Sequence, residues 1–253
     1  MGRNFRARLQ RGEMLLGTML TLPTPAVAEM LTGLGFDWLF IDAEHGPLET
    51  AELLGLLQAT SAGTAASIVR VPAGNEVAIK KVLDLGADGL IVPQVNTPEQ
   101  AAAIVSYARY APEGARGIGL ARAHGYGLSF TDYLERANDE IAVIAQAEHV
   151  KAVENIEAIV RVPGIDAILL GPYDLSASLG KPGQVDDPAV VEAIEHVTRT
   201  CLEADMPLGY FGVSAQAVRP YMQRGFRLIV AGVDTLMLGT AAQRLLESLR
   251  RSM

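Results

Sequence analysis

The chain contains 253 residues, of which 49% are apolar and 20% are charged, and its formal net charge at pH 7 is -8. This composition is typical of a globular protein with a substantial core and excludes a disordered chain. The acidic balance argues against a general nucleic-acid binder, although a small anion needs only a local positive site.

The sequence predicts no targeting segment and no membrane segment. The basic N-terminal residues are not followed by the apolar stretch of a signal peptide, and there is no run of about 18 apolar residues to span a membrane. The one cysteine, Cys201, excludes an intrachain disulfide and fits a cytoplasmic location. It lies in a predicted helix, where we expect it to be buried, and nothing nearby marks it as a nucleophile.

Short apolar runs alternate with longer segments of helical periodicity along the chain. The apolar runs predict strands at 15–21, 38–43, 66–71, 89–94, 141–148, 167–172, 207–212 and 228–233. Eight strand–helix units in about 250 residues predict a (β/α)₈ barrel that forms a single domain over 1–253. A doubly wound open sheet is the alternative, but the first strand is not followed by its glycine-rich fingerprint.

The longest interruption of this alternation is the segment 110–140, which contains several glycines together with Arg116 and Arg122. Loops of this length inside a compact domain usually have a function. We therefore expect the segment to fold over the mouth of the barrel, with an ordinary surface excursion as the alternative.

Polar residues recur where the predicted strands end, and in a barrel of this type that end carries the active site. They are Asp42, Glu44, His45, Arg70, Gln94, Gln146, Glu148 and Asp174. Buried charges are costly unless they are paired or bind a metal, so packing alone does not explain them. Gln146 and Glu148 are two positions apart and share one face of a strand, as do Asp42 and Glu44.

Glu148 and Asp174 would form an all-oxygen pair of carboxylates from two different strands. Such a pair suits Mg²⁺, Mn²⁺ or Co²⁺, whereas the sequence has no cysteine–histidine cluster for structural zinc. Each acid also has an ordinary structural interpretation. Glu148 could be an acid at the start of a helix, and Asp174 could be a capping or turn aspartate.

His45 differs from the other histidines because it lies between carboxylates in the motif FIDAEHGPLE. Asp42 could orient its imidazole for general-base catalysis, or His45 could be a loop residue that caps a helix. Arg70 at the end of the third strand could bind a carboxylate or a developing oxyanion. It could equally be a partner of one of the buried acids.

The lysines do not support a Schiff-base mechanism. The four lysines, Lys80, Lys81, Lys151 and Lys181, lie in predicted helices or a turn, and none ends a strand. A Schiff-base aldolase needs a desolvated lysine at the reacting carbon. Carbanion chemistry on this barrel would therefore need a metal ion as the electron sink.

The motifs together resemble the metal-dependent (class II) pyruvate aldolases of the hydroxy-keto-acid type, which include 4-hydroxy-2-oxoheptanedioate and 2-dehydro-3-deoxyglucarate aldolases. The matching stretches occur in order over roughly 16–180. They are GTMLTLPTPAVAEMLTGLGFDWLFIDAEHGPLE, VRVPAGNEVAIKKVLDLGADGLIVPQVNTPEQA, ARYAPEGARGIGLARAHGYG, QAEHVKAVENIEAI and GIDAILLGPYDLSASLG. The last third of the chain matches mainly in its barrel pattern.

The resemblance implies a barrel that assembles as a hexamer, a trimer of dimers with an exchanged C-terminal helix. It implies Glu148 and Asp174 as metal ligands. It also implies His45, paired with Asp42, as the acid–base residue, and Arg70 as the group that stabilises the enolate.

The resemblance extends to the substrate contacts. Gln146 would contact the bound keto acid, and Asp84 would lie at the active site of a neighbouring subunit. Apart from the resemblance, we expect the backbone N–H groups that follow Pro172, next to Gly171, to hold the substrate carboxylate. Tyr173 stands where the family often has a smaller residue, which bears on the preference for the acceptor aldehyde.

The implied reaction is the reversible aldol cleavage of a 4-hydroxy-2-oxo acid to pyruvate, or hydroxypyruvate, and an aldehyde. A divalent metal and Arg70 would stabilise the enolate, and His45 would move the hydroxyl proton. Two alternatives stay open. A metal-dependent acyl-CoA lyase is disfavoured because no clear basic patch is available for the CoA diphosphate. A non-catalytic keto-acid-binding barrel is disfavoured because the set of polar strand-end residues is complete.

Overall fold

The computed structural model describes residues 4–251 and contains a closed barrel of eight parallel strands. The strands are β1 (Leu15–Leu20), β2 (Trp38–Asp42), β3 (Ala66–Arg70), β4 (Gly89–Val92), β5 (Ala142–Ala147), β6 (Ala167–Leu170), β7 (Leu208–Gly212) and β8 (Leu228–Val233). Each strand pairs with the next one along the chain, and β8 closes the barrel on β1. The predicted barrel is confirmed, and the domain predicted over 1–253 extends at both ends beyond the described residues.

Helices follow the strands around the outside of the barrel. They are α1 (Phe5–Gln10), α2 (Pro25–Thr32), α3 (Thr50–Thr60), α4 (Glu76–Asp84), α5 (Pro98–Ala108), α6 (Phe130–Glu140), α7 (Val150–Glu154), α8 (Ile156–Ile159), α9 (Pro172–Ser178), α10 (Pro188–Glu203), α11 (Ala215–Gln223) and α12 (Asp234–Arg251). A short 3₁₀ segment at Arg122–Gly127 precedes α6. None of these helices has both the length and the apolar character needed to cross a membrane.

Two of the strands end two residues earlier than the sequence pattern predicted. Strand β4 ends before Pro93, and β6 ends before the Gly171–Pro172 pair. Proline has no N–H to donate to a strand ladder, but it is well suited to the first position of a helix. Pro172 accordingly begins α9, which turns the chain at the carboxyl end of β6.

The alternation of side chains along the strands determines what reaches the barrel interior. In β2, Trp38 and Phe40 belong to the interior cluster, whereas Leu39 and Ile41 pack in the outer layer beneath the helices. The same parity carries Asp42 inward at the carboxyl end of the strand. Strands β3 and β5 follow the same rule, so their terminal polar residues also point into the mouth of the barrel.

The segment 110–140 does not cover the barrel mouth, so that expectation was wrong. Arg116 forms an ion pair with Asp84 at 2.8 Å, and Arg122 donates a 2.6 Å hydrogen bond to the carbonyl of Leu85. Both of these contacts are made at the C-terminal end of α4. This end lies on the outside of the barrel and toward the amino ends of the strands. Arginines suit such a position because the last carbonyls of a helix have no partner within the helix.

Helix α12 leaves the barrel directly after β8. Its first residue, Asp234, accepts hydrogen bonds from the backbone N–H groups of Thr21 (2.9 Å) and Leu22 (2.8 Å). Beyond this anchor the helix packs little against its own barrel, and leucines such as Leu238 and Leu245 are exposed in the single chain. The helix therefore presents an apolar surface that its own barrel does not bury.

Candidate active site

A cavity of about 320 Å³ opens at the carboxyl ends of the strands. The predicted site residues that line it are Asp42, His45, Arg70, Gln146, Gly171, Pro172, Tyr173 and Asp174. Apolar side chains, among them Met19, Phe40 and Phe211, complete its walls. The structure thus brings together most of the residues that the strand-end rule selected.

Arg70 and Asp42 form a buried pair at the bottom of the cavity. The ends of β2 and β3 are in register, so these two residues lie directly opposite each other. Arg70 donates from Nε to Oδ1 at 2.8 Å and from Nη2 to Oδ2 at 2.7 Å. Burial alone would raise the pKa of Asp42, but the hydrogen bonds and the charge of Arg70 outweigh it and hold this pKa below its usual value. Asp42 is therefore ionised and fixes the guanidinium in place.

In this structure the carboxylate of Asp42 binds Arg70 and does not contact the imidazole of His45, so the predicted pairing of Asp42 with His45 stays a prediction. Besides Arg70, the Asp42 carboxylate accepts from two backbone N–H groups, those of Glu44 at 3.1 Å and His45 at 3.4 Å. The His45 ring is 66% exposed, and its Nε2 lies 3.9 Å from Oε2 of Glu44. Because β2 and β3 are in register, Asp42 lies opposite Arg70, and its carboxylate binds the guanidinium.

Glu148 lies behind the cavity wall and is almost completely buried. Its Oε1 accepts a 2.8 Å hydrogen bond from the backbone N–H of Gln94, and its Oε2 accepts one from Nε2 of Gln146. Burial raises the pKa of Glu148 to about 7, with a further rise from the carboxylates of Glu44 and Asp174 that the Gln94 hydrogen bond opposes. The carboxylates around Glu148 therefore carry more negative charge than the guanidinium of Arg70 neutralises.

The donor set fits a divalent cation that prefers oxygen ligands. The carboxylates of Asp42 and Asp174 raise the pKa of Glu44, and those of Glu44 and Asp174 raise the pKa of Glu148, while the guanidinium of Arg70 opposes both shifts. Within residues 4–251 there is no group of three or more His, Cys, Asp or Glu residues arranged to hold a metal. Two carboxylates with water and substrate oxygens are nevertheless a normal environment for Mg²⁺, which keeps several waters.

Gly171 packs directly against the two polar residues of β5. A Cβ atom at this position would lie 2.8 Å from Cβ of Glu148, 2.9 Å from Nε2 of Gln146 and 3.0 Å from Oε2 of Glu148. Any larger residue would push these side chains aside. The turn at Gly171 and Pro172 thus fixes the position of Glu148, and its predicted role in holding a substrate carboxylate stays a prediction.

Asp84 does not reach the cavity of its own chain. It lies at the end of α4 beside Arg116, in a separate groove lined in part by Leu120 and Tyr126. Its predicted place at a neighbouring active site stays a prediction. Tyr173, in contrast, lines the cavity and is partly exposed.

Thr21 is a cavity residue that the sequence reasoning missed. It follows β1 and donates a 2.7 Å hydrogen bond from its hydroxyl to Oδ1 of Asp234. The strand-end rule would have found Thr21 had it been applied to β1. Cys201, as expected, is buried, and burial raises the pKa of its thiol to about 12, so it is not a nucleophile.

Known proteins match the chain over almost its whole length. Residues 16–241 match the model of the HpcH/HpaI aldolase/citrate lyase family. A hydroxypyruvate/pyruvate aldolase of Deinococcus radiodurans is 41% identical over 248 residues, which cover 97% of this chain and 89% of that protein. A 4-hydroxy-2-oxovalerate aldolase of Novosphingobium aromaticivorans is also 41% identical, with 94% and 91% of the two chains covered.

A solved structure gives the same result at the level of the fold. A HpcH/HpaI aldolase/citrate lyase family protein of Burkholderia cenocepacia superposes with a TM-score of 0.94 at 36% identity, and 98% of this chain and 99% of that one are covered. The resemblance seen in the sequence motifs is confirmed. The chain belongs to the HpcH/HpaI aldolase/citrate lyase family and is an aldolase-type carbon–carbon lyase.

Proposed function

We propose that this protein catalyses the reversible aldol cleavage of 4-hydroxy-2-oxo acids into pyruvate, or hydroxypyruvate, and an aldehyde. The observation that carries the proposal is the guanidinium of Arg70, fixed by Asp42 in a cavity that it shares with Asp174 and that adjoins Glu148. The names of the 41% identical relatives support this class of substrate.

Arg70 stabilises the negative charge that develops on the keto oxygen of the substrate. Because Asp42 holds the guanidinium rigidly, little reorganisation is needed when the charge appears, and one such donor contributes roughly 2.7–4 kcal/mol. Gln146 contacts the keto acid from β5, and the backbone N–H groups that follow Pro172 hold its carboxylate. A divalent cation, Mg²⁺, Mn²⁺ or Co²⁺, held by Glu148 and Asp174 would polarise the carbonyl group.

His45 moves the proton at the other end of the reacting bond. In cleavage it takes the proton from the C4 hydroxyl group, whose oxygen becomes the carbonyl oxygen of the aldehyde. The electrons of the C3–C4 bond pass to the pyruvate fragment, and synthesis reverses each transfer. The exposed position of the imidazole in the cavity wall fits a residue that must meet the substrate hydroxyl. Tyr173 contacts the substrate from the same wall.

The proposal includes a homo-oligomer, a hexamer in which α12 is exchanged between subunits and Asp84 reaches a neighbouring active site. The exposed leucines of α12 support it, because several exposed apolar side chains on one helix are typical of an interface. The proposal also includes a single catalytic domain over 1–253 and a cytoplasmic location, which the buried thiol of Cys201 supports. No nucleic acid or membrane partner is proposed.

A cleavage assay tests the proposed reaction. The protein is supplied with Mg²⁺, Mn²⁺ or Co²⁺ and 4-hydroxy-2-oxo acids of different chain length, and pyruvate release is followed with lactate dehydrogenase. Arg70→Lys keeps the charge but loses the two-pronged contact with Asp42, so we expect kcat to fall by about 10²–10³. Tight pyruvate binding without turnover of any substrate would point to a binding role, and competition by adenine nucleotides would point to an acyl-CoA lyase.

A further inference from the structure

Gln94 has an unusual backbone conformation just beyond the end of β4. Its φ angle is 56°, in the left-handed region, which only four non-glycine residues adopt among the described residues 4–251. A residue with a Cβ atom rarely adopts this region, because the Cβ crowds the following carbonyl oxygen. The side chain of Gln94 is exposed, so its packing does not explain the conformation. Backbone strain of this kind persists only where the surrounding structure imposes it, and it is common at functional sites.

In this conformation the backbone N–H of Gln94 points at Glu148. It donates a 2.8 Å hydrogen bond to Oε1 of this buried carboxylate. The preceding residue, Pro93, has no N–H, and the following residue, Val95, is buried. Gln94 is thus the residue at which the chain directs an N–H group toward the mouth of the barrel while the side chain stays in solvent.

The two oxygens of Glu148 have donors of different kinds. Oε2 accepts from Nε2 of Gln146, a side chain with rotatable bonds of its own, whereas Oε1 accepts from the backbone of Gln94. A backbone N–H keeps the direction that its planar peptide gives it. The N–H of Gln94 is therefore the more rigid of the two groups that set the orientation of the carboxylate.

The residues after Gln94 hold the loop in place. Nδ2 of Asn155 donates a 2.9 Å hydrogen bond to the carbonyl of Asn96, whose own N–H donates to Oε1 of Gln100 at 2.7 Å. Thr97 and Gln100 form a capping box at the start of α5. These contacts explain how the chain maintains a left-handed residue that is not glycine.

We infer that Gln94 is a positioning residue for Glu148, and that it acts through its backbone conformation and not through its side chain. This inference rests on the proposed function, in which Glu148 and Asp174 hold a divalent cation. Loss of a group that orients a metal ligand typically weakens metal binding by about 10–100-fold. The strand-end rule selected Gln94 as a polar residue, but the group that acts is its N–H.

Calorimetric titration of the metal-stripped protein with Mn²⁺ tests the inference without any turnover. Gln94→Thr introduces a side chain branched at Cβ, which is least compatible with a left-handed backbone, so the Kd for Mn²⁺ should rise by about 10–100-fold. Gln94→Ala removes only the exposed side chain, and Gln94→Gly adopts a positive φ freely, so both should stay within about threefold of the wild type. An unchanged Kd in Gln94→Thr, or an equal loss in Gln94→Ala, would overturn the inference.

Asp205→Thr is the matched control for a merely structural effect. Asp205 is also exposed and left-handed, with a φ of 52°, but it lies between α10 and β7, at the opposite end of the barrel. Both threonine variants should lower the midpoint of urea unfolding, because both strain the backbone in the same way. Asp205→Thr should nevertheless bind Mn²⁺ like the wild type. Equal weakening in the two variants would mean that lost stability is the cause, and would contradict the inference.

The hydrogen bond can also be measured in proteins that keep Gln94, which decides the matter if Gln94→Thr does not fold. Exchange of the Gln94 amide proton, resolved by fragmentation mass spectrometry, should be slow in the wild type although the residue is exposed. In Glu148→Ala it should be at least about tenfold faster, since the acceptor is gone. Equal exchange rates in the two proteins would overturn the inference.

The two proposals fail in different ways. A wild type that binds Mn²⁺ but cleaves no substrate would contradict the proposed reaction, and the Gln94 variants would still decide the inference. An active wild type whose Gln94→Thr variant binds Mn²⁺ normally would contradict the inference alone. A wild type that binds no Mn²⁺ would overturn the inference together with the proposed cation site.

Discussion

The carboxylate of Asp42 holds the guanidinium of Arg70 by two hydrogen bonds, of 2.8 Å and 2.7 Å, across the ends of adjacent strands. Both side chains are nearly inaccessible to solvent, at 2% and 7% exposure. The remaining Nη1 of Arg70 lies near Glu44. One buried cation is thus fixed at the bottom of a cavity whose other charged groups are mostly acids, which is a suitable place for a negative charge to develop.

The Asp42–Arg70 pair should make stability depend on pH. Because the pKa of Asp42 is lower in the folded protein than in the unfolded chain, its ionised form stabilises the fold above its unfolded pKa of about 3.9. That contribution is lost as the pH falls through the folded pKa. At neutral pH, Asp42→Asn should lower the free energy of unfolding by about 3–5 kcal/mol.

Urea unfolding of the wild type and Asp42→Asn from neutral to acidic pH checks this dependence. The difference between the two proteins should shrink as the pH falls. Asp132→Asn, at an exposed aspartate on α6, is the control and should differ little from the wild type at any pH. A difference that stays constant with pH would mean that the charge of Asp42 does not stabilise the fold.

Metal binding should also depend on pH, through Glu148. Its pKa of about 7 means that a cation must displace a proton from this carboxyl group over the lower part of the neutral range. The apparent affinity for Mn²⁺ should therefore fall about tenfold for each pH unit below that value and level off above it.

Calorimetric titration with Mn²⁺ in buffers of different ionisation enthalpy measures both the affinity and the proton release. About one proton per ion should be released below the pKa of Glu148, and almost none well above it. Glu148→Gln and Asp174→Asn should each abolish binding. Unchanged binding in either variant would remove that residue from the proposed ligands.

Gly171→Ala should inactivate the enzyme without unfolding it. The added Cβ would displace Gln146 and Glu148, which it would meet at distances of 2.8–3.0 Å. We expect kcat/KM to fall by at least about 100-fold, since a misplacement of about 1 Å at a catalytic site has that effect. Gly33→Ala is the matched control, because its Cβ would meet only ordinary contacts of 3.5 Å or more. An active Gly171→Ala variant would show that catalysis does not depend on the exact position of Glu148.

The C-terminal helix should hold the proposed homo-oligomer together. Replacement of Leu245 and Leu249 by serine removes two exposed leucines of α12 and should shift the mass measured by light scattering from an oligomer toward smaller species. Leu34→Ser, at an exposed leucine outside α12, controls for a general effect on solubility. An oligomer that survives both α12 substitutions would place the interface elsewhere.

The barrel could be predicted from the sequence because its signals are local. Strands buried on both faces appear as continuous apolar runs, and the polar residues that end them stand out. Parity along β5 was enough to place Gln146 and Glu148 on one face, and the structure agrees.

What the sequence did not predict depends on relations between distant segments. The partner of Asp42 is decided by the register of β2 against β3, which puts Arg70 opposite it. No pattern within FIDAEHGPLE contains that register, so the sequence predicts His45, which is nearer along the chain, as the partner of Asp42. The path of the segment 110–140 likewise depends on the ion pair of Arg116 with Asp84. The sequence does not predict this pair, because Asp84 is distant from Arg116 along the chain.

Exchange of the methyl protons of pyruvate in D₂O, followed by NMR, tests the central claim most directly. The protein is stripped with EDTA and then resupplied with Mg²⁺, Mn²⁺ or Co²⁺, with no aldehyde present. We expect the exchange to require the metal and to be strongly reduced in Arg70→Lys. The metal ion and the guanidinium of Arg70 both stabilise the negative charge on the keto oxygen. Exchange that survives EDTA and is trapped by borohydride would instead reveal a lysine Schiff base, and no exchange under any condition would contradict the proposed aldolase reaction.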